Sequence, residues 1–172
     1  MRARAIIIAC LMLVATVPLM HISRAKAGGI ALRTPEKRVL GMINNARARR
    51  GLHRLRIVKS LERAARSHSA SMLSRDYFSH YSYGGATYAR RLLSFGYSRA
   101  GMTRWTVGEV IGWGKGGAGS ARAVFRAWMR SSAHRAVIFT RCFRDCGVGA
   151  KLGSYATISG VRMFTVDFGR RY

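Results

Sequence analysis

Hydrophobic residues recur every three or four positions over the first half of the chain, and they alternate with polar residues near its end. The helical spacing starts after Thr34, a favoured N-cap residue, and stops at Gly51. It resumes after Ser60, and once more between Thr87 and Phe95. These three segments are predicted to be α-helices.

The second half of the chain predicts strands around one further helical region. Residues 106–114 form a short apolar run typical of a strand, and residues 146–152 and 161–168 alternate as strands do. Ser120 is placed to cap a helix, and residues 131–138 predict a short turn or helix. Because helices come mainly first and strands mainly late, the predicted class is α+β with a largely antiparallel sheet.

The first 27 residues have the pattern of a secretory signal peptide. A short basic start precedes an apolar run over residues 5–20. Ala27 and the alanine two positions before it form a small-x-small pattern that fits cleavage after Ala27. The run is shorter than the roughly 20 residues that a spanning helix needs, which disfavours the alternative of an uncleaved anchor. We expect secretion to the periplasm or the medium, a mature N-terminal segment at 28–35, one domain at 36–172 and no transmembrane segment in the mature chain.

Charge adds a second expectation, because the 172 residues include 31 basic and only 6 acidic side chains. The basic residues are scattered, which argues against a disordered nucleic-acid arm and against specific nucleic-acid recognition. They favour a cationic surface that would engage anionic polymers or lipid headgroups. Arg122, Arg126 and Arg130 fall on one face of the predicted helix, as an anion-binding stripe or as an ordinary solvated face.

The cysteines give a weaker signal. Cys10 lies within the predicted signal peptide, which leaves Cys142 and Cys146 as a pair. In an exported protein such a pair predicts a disulfide. Two free buried thiols are the alternative, since a three-residue spacer can be bridged only in a turn.

Several motifs along the chain together resemble a known family. They resemble the bacterial CAP domain, named for cysteine-rich secretory proteins, antigen 5 and pathogenesis-related 1 proteins, and also called the SCP-like extracellular domain. No single motif is specific alone, but the motifs occur in the order of the family and together cover roughly residues 36–169. The motifs are Ile43-Asn44-x-x-Arg47, Tyr77-Phe-Ser-His80, Val107-Gly-Glu-Val-Ile-Gly-x-Gly114, Trp128-Met-x-Ser-x-x-His134 and Thr165-Val-Asp-Phe-Gly169.

The resemblance implies a three-layer α-β-α sandwich and a cleft that holds two histidines and one or two glutamates, in some members with a divalent metal. Carried over to this chain, these residues are His80, His134 and Glu109. A second glutamate of animal and plant members would fall at Ser131, and the asparagine that usually follows the first is Val110 here.

Two imidazoles and one carboxylate could bind a divalent metal such as Zn and leave room for water. Without metal they could form a hydrogen-bonded cluster that supports the cleft. No second carboxylate is evident as a general base, so catalysis is disfavoured and no catalytic residue is assigned. We therefore expect a secreted binding module, with a metal-dependent hydrolase of the envelope or medium as the alternative. His68, on the apolar stripe of the second helix, is expected to be a core histidine.

Overall fold

A computed structural model describes residues 32–172, so the predicted signal peptide, its cleavage site and Cys10 lie outside the described residues. The helices lie mainly in the first part of the chain, and two long strands close it. In chain order they are α1 Thr34–Ala48, β1 Arg56–Ile57, α2 Lys59–Ser74, α3 Tyr88–Ser94, β2 Trp105–Lys115, a short 3-10 helix Gly116–Gly119, α4 Ala121–Arg130, α5 Ser132–Ile138, β3 Asp145–Tyr155 and β4 Ile158–Arg171.

The strands form one four-stranded sheet in the order β1-β3-β4-β2. The two-residue β1 runs parallel to β3, and the other pairs are antiparallel. The predicted mixed class with a largely antiparallel sheet is confirmed. The segment 52–58, which predicted only an irregular connection, contributes β1.

Helices pack against both faces of this sheet. On one face Val110, Val148 and Val166 join a core with Val124 and Trp128 of α4. α1 and α5 contribute to the same core through their apolar residues. Among residues 32–172, no helix is long and apolar enough to cross a membrane.

α2 packs very closely on the opposite face, at two glycines of β3. A Cβ atom at Gly147 would lie 2.0 Å from the carbonyl carbon of Leu61, and one at Gly149 would lie 2.3 Å from the oxygen of Ala65. These distances are far shorter than any real contact, so the helix can reach the sheet only because both positions lack a side chain.

The starts of the first two helices differ from the prediction. α1 has Arg33 at its N-cap, because the carboxylate of Glu36 accepts the Arg33 N–H at 2.8 Å and so replaces a Thr34 cap. α2 begins after Val58 and before Ser60. By contrast, α3 and α4 begin as predicted, with the hydroxyl of Thr87 and that of Ser120 accepting helix N–H groups.

The predicted disulfide is not formed in this structure, where Cys142 and Cys146 are both free. Cys146 lies in extended β3 and points into the core, fully buried. Cys142 lies in the turn before β3 and is half-buried. Asp145 and Cys146 already belong to the extended strand β3, so the segment between the two cysteines is not the tight turn that a bridge over three residues requires.

Candidate functional site

Two acidic side chains lie side by side in the centre of the sheet. Glu109 on β2 pairs directly with Asp167 on β4 in the antiparallel register. Both side chains point to the face that α2 covers, and both are buried, with Glu109 5% exposed and Asp167 fully enclosed. Two carboxylates this close cannot both keep their charge without strong compensation.

Positive and hydrogen-bonding groups surround Glu109. Nδ1 of His80 lies 2.8 Å from its Oε1, and the guanidinium of Arg91 donates to its Oε2. Arg91, on α3, also donates to the Ser82 hydroxyl at 3.0 Å, so the cation is fixed in place. Nε2 of His68 lies 4.0 Å from the same Oε2. The acid in the apolar run is therefore the centre of a buried ion cluster.

Asp167 can be satisfied only as a protonated acid. Within the described chain no N–H or hydroxyl group donates to its carboxyl oxygens. Burial first, and then the charge of Glu109, raises the pKa of Asp167 well above its usual range. The proton that Asp167 then carries can be donated to the adjacent Glu109, and the two acids titrate as a pair.

Burial also raises the pKa of Glu109, to about 7, while the Arg91 charge and the hydrogen bond from Asp167 oppose that rise. Without these two partners a carboxylate in this position would stay neutral at physiological pH. Asp167 is therefore neutral in the neutral pH range, and Glu109 titrates within that range.

His68 closes the cluster from α2. Its Nε2 donates to the carbonyl oxygen of Ser79 at 2.8 Å, which fixes the tautomer because a carbonyl can only accept. Burial first, and then the charge of Arg91, lowers the pKa of His68 to about 4. The histidine is neutral and buried, as expected for a core histidine, but it also touches the site.

A cavity of about 520 Å³ opens onto His80 and Glu109 from the edge of β2. The His80 side chain is 46% exposed and forms the rim, while Glu109 lies at the bottom. Tyr81, Tyr88 and Phe143 line the walls with aromatic surface. The cleft thus combines an apolar wall with a recessed polar floor, which is the usual composition of a ligand site.

His134 lies apart from this pair. Its Nδ1 is 2.8 Å from the Ser131 hydroxyl, and its ring lines a neighbouring cavity of about 360 Å³ beside Trp113 and Trp128. Burial and then the nearby His80 lower the pKa of His134. The structure brings His80 and Glu109 into contact and places His134 near them, without direct contact with Glu109.

These residues do not converge as metal ligands. Within residues 32–172 no group of three or more His, Cys, Asp or Glu side chains is arranged to hold a metal ion. One oxygen of Glu109 is occupied by the Arg91 guanidinium, a cation that would repel a divalent ion at the same carboxylate. The contacts of Glu109 with His80 and Arg91 are those of a hydrogen-bonded ion cluster.

The predicted arginine stripe lies on the surface. Arg122, Arg126 and Arg130 are all exposed on α4. Arg130 borders the cavity that contains His134, and Arg122 borders a separate cavity between α1 and α4.

Arg91 and Asp167 are the site residues that the sequence did not indicate. Arg91 is one of two adjacent arginines in a short helix, and nothing in the sequence marks it as the buried one. Asp167 does carry a signal, since it is a lone acid in an apolar strand of an acid-poor chain. Glu109 carries the same signal in the apolar run of β2.

Comparison with known proteins supports the resemblance. The family model of the cysteine-rich secretory protein family, CAP, matches residues 40–168. YkwD of Bacillus subtilis (strain 168) is 34% identical over 114 residues, which is 66% of this chain and 41% of that protein. This chain therefore matches less than half the length of that relative.

Solved structures share the fold at low identity. An outer surface protein from Borrelia burgdorferi superposes with a TM-score of 0.67 at 20% identity, over 83% of this chain and 97% of that one. An extracellular SCP-domain protein from Bacillus anthracis str. Ames gives 0.63 at 23% identity, over 83% of this chain and 45% of that one. With a family model that spans most of its length, the chain belongs to the cysteine-rich secretory protein (CAP) family.

Proposed function

We propose that this protein is a secreted binding module whose cationic surface engages anionic polymers or lipid headgroups of a cell envelope. The observation that carries the proposal is the burial of its acids. Five of the six acidic side chains are buried, and only Asp76 is exposed. The surface is therefore more positive than the composition alone implies.

The buried acids are used inside the molecule. Glu36 accepts from the Arg66 guanidinium at 2.8 Å and from the Ala150 N–H at 3.3 Å, at the edge of β3 that the short β1 leaves open. Asp145 accepts from the Tyr97 hydroxyl at 2.7 Å and also pairs with Arg56. Such acids hold the fold together and do little to neutralise the outer surface.

Most basic side chains, by contrast, are exposed, and only Arg47 and Arg91 are buried among those of residues 32–172. The formal net charge of the whole sequence is +25. A surface of net positive charge attracts polyanions over a distance set by the Debye length, which is about 8 Å at physiological ionic strength.

Secretion is supported by the signal-peptide pattern at the N-terminus and by kinship with a solved protein described as extracellular. A cationic protein released outside the membrane would meet anionic wall polymers and headgroups first.

Binding to vesicles at two ionic strengths tests the proposal. We expect co-sedimentation with phosphatidylglycerol vesicles at low salt, strong loss at high salt and none with phosphatidylcholine vesicles. Retention that does not change with salt, or that is equal on both vesicles, would refute the surface-charge account.

The metal-dependent hydrolase remains the alternative, and we propose that the Glu109 cluster instead shapes the cleft. Elemental analysis of the purified protein distinguishes the two. We expect no stoichiometric Zn in the wild type and no change in His134→Ala or His80→Ala. Stoichiometric metal that is lost in either folded variant would favour the hydrolase.

A further inference from the structure

A second cavity, away from Glu109, lies where the end of α1, the start of β3 and the end of β4 meet. Its volume is about 390 Å³. Three arginines, one histidine and one tyrosine supply its polar lining, and no Asp or Glu side chain of residues 32–172 contributes. The lining comprises Gly51, Leu52, His53, Arg141, Cys142, Arg144, Arg170 and Tyr172.

Three guanidinium groups in one small cavity repel one another unless an anion lies between them. The nearest acid in sequence, Asp145, is buried, and its two oxygens are taken by Arg56 and Tyr97. No Asp or Glu side chain of the described residues therefore neutralises the positive charge of this cavity.

A buried arginine holds the walls of the cavity in place. Arg47 is fully buried and donates to the carbonyl oxygens of His53 at 2.9 Å, Thr140 at 3.0 Å and Phe143 at 3.1 Å. Its pKa is lowered by burial first and then by the charge of Arg144. One cation thus connects the 51–53 segment to the 140–144 segment and adds positive potential beneath the cavity.

The side chains of Arg144 and Arg170 are also held. Arg144 donates to the carbonyl oxygens of Arg141 at 2.7 Å and Cys142 at 3.2 Å. Both hydrogen bonds use one nitrogen of the guanidinium, so the other nitrogens remain for other acceptors. Arg170 lies over the Tyr172 ring at 5.0 Å, and the Tyr172 N–H donates to the Arg104 oxygen. Donors fixed in advance lose little entropy when an anion binds.

We propose that this cavity is a binding site for a phosphate group, with Arg141, Arg144 and Arg170 as its principal donors. Guanidinium groups match the oxygens of phosphate in geometry and charge, which makes arginine the preferred residue for such recognition. This inference rests on the proposed function and deepens it, because it assigns part of the binding to one defined site.

Cys142 provides a probe within the cavity. It is half-buried there, whereas Cys146 is fully buried. The rate of alkylation of Cys142 by iodoacetamide, read by peptide mass spectrometry, should fall several-fold when inorganic phosphate replaces chloride at constant ionic strength. Amide NMR shifts over residues 51–53 and 141–144 give a second readout that does not depend on thiol reactivity.

The test variant is the double substitution Arg141→Gln with Arg170→Gln, which leaves the hydrogen bonds of Arg47 and Arg144 intact. The control is Arg126→Gln with Arg130→Gln, which removes the same charge from exposed positions on α4. We expect phosphate protection and shifts to be lost in the first pair and kept in the second. No response to phosphate in the wild type, or the same response in both pairs, would overturn the site.

Vesicles of phosphatidylcholine with phosphatidic acid distinguish the source of the phosphate. If a lipid headgroup occupies the site, the Arg141/Arg170 pair loses more vesicle binding than the control pair. If free phosphate is the occupant, both pairs lose vesicle binding equally while only the first loses phosphate protection. Vesicle binding by the wild type that does not depend on salt would refute the proposed function. It would not refute the phosphate site, because phosphate protection is measured at constant ionic strength.

Discussion

At the scale of single residues, the cluster around Glu109 depends on a charge balance among few side chains. Arg91 is the only arginine that donates to Glu109 within the described chain, and its side chain is 5% exposed. A buried acid that loses its cation keeps the full cost of its desolvation. Position 91 should therefore be far more sensitive than its exposed neighbour Arg90.

Arg91→Met is expected to lower the free energy of unfolding by about 3 to 5 kcal/mol, the range seen when one partner of a buried pair is removed. The loss should be greater at pH 8 than at pH 6, because Glu109 without Arg91 can escape its charge by taking a proton at the lower pH. Urea unfolding at the two pH values measures both effects. Arg90→Met is the control, and equal losses in the two variants would contradict the cluster.

His68→Gln tests the buried neutral histidine. In the unfolded chain His68 takes a proton below about pH 6.5, whereas the folded pKa is about 4, so the unfolded state binds more protons between these values. Lowering the pH through this window should destabilise the wild type relative to His68→Gln by roughly 3 kcal/mol, at about 1.4 kcal/mol per pKa unit. A difference in unfolding free energy that stays constant from pH 7 to pH 4 would contradict the assignment.

At the scale of elements, the sequence predicted most segments but few of the contacts between them. β2, β3, β4 and four of the helical segments follow from periodicity and caps, and the acid in β2 was expected to face His80. β1 was missed because two residues carry no period, and the burial of Arg91 was missed because it depends on packing between α3 and the sheet. His134 was expected beside Glu109 from resemblance alone, yet its α5 position lies next to Ser131 and Trp128.

Gly149→Ala tests the close packing of α2 on β3. The added methyl group would lie 2.3 Å from the Ala65 oxygen, so backbone must move, and a loss of about 3 kcal/mol or more in stability is expected. Gly41→Ala is the control, because it lies in α1 with nothing within 4 Å of the new atom. That change should be neutral or stabilise by up to about 1 kcal/mol. Thermal unfolding of both variants measures the difference. Similar melting temperatures for the two variants would contradict the close packing of α2 on β3.

At the scale of the whole molecule, acidic and basic side chains differ in burial. Five of the six acids lie inside, where their partners include Arg66, Arg91 and the Tyr97 hydroxyl, and the cations lie mostly outside. Composition alone predicted a basic surface, but it could not say that the few acids would be removed from it. The function we propose follows from this separation more than from any single site.

The dependence of polyanion binding on salt tests this separation most directly. The association constant for a soluble polyanion such as dextran sulfate should fall linearly with salt on logarithmic axes, because each cation engaged releases counterions. Replacing Arg122, Arg126 and Arg130 with Gln should make the slope less steep, while the stability of the fold stays unchanged. A wild-type affinity that does not vary with salt would contradict the account.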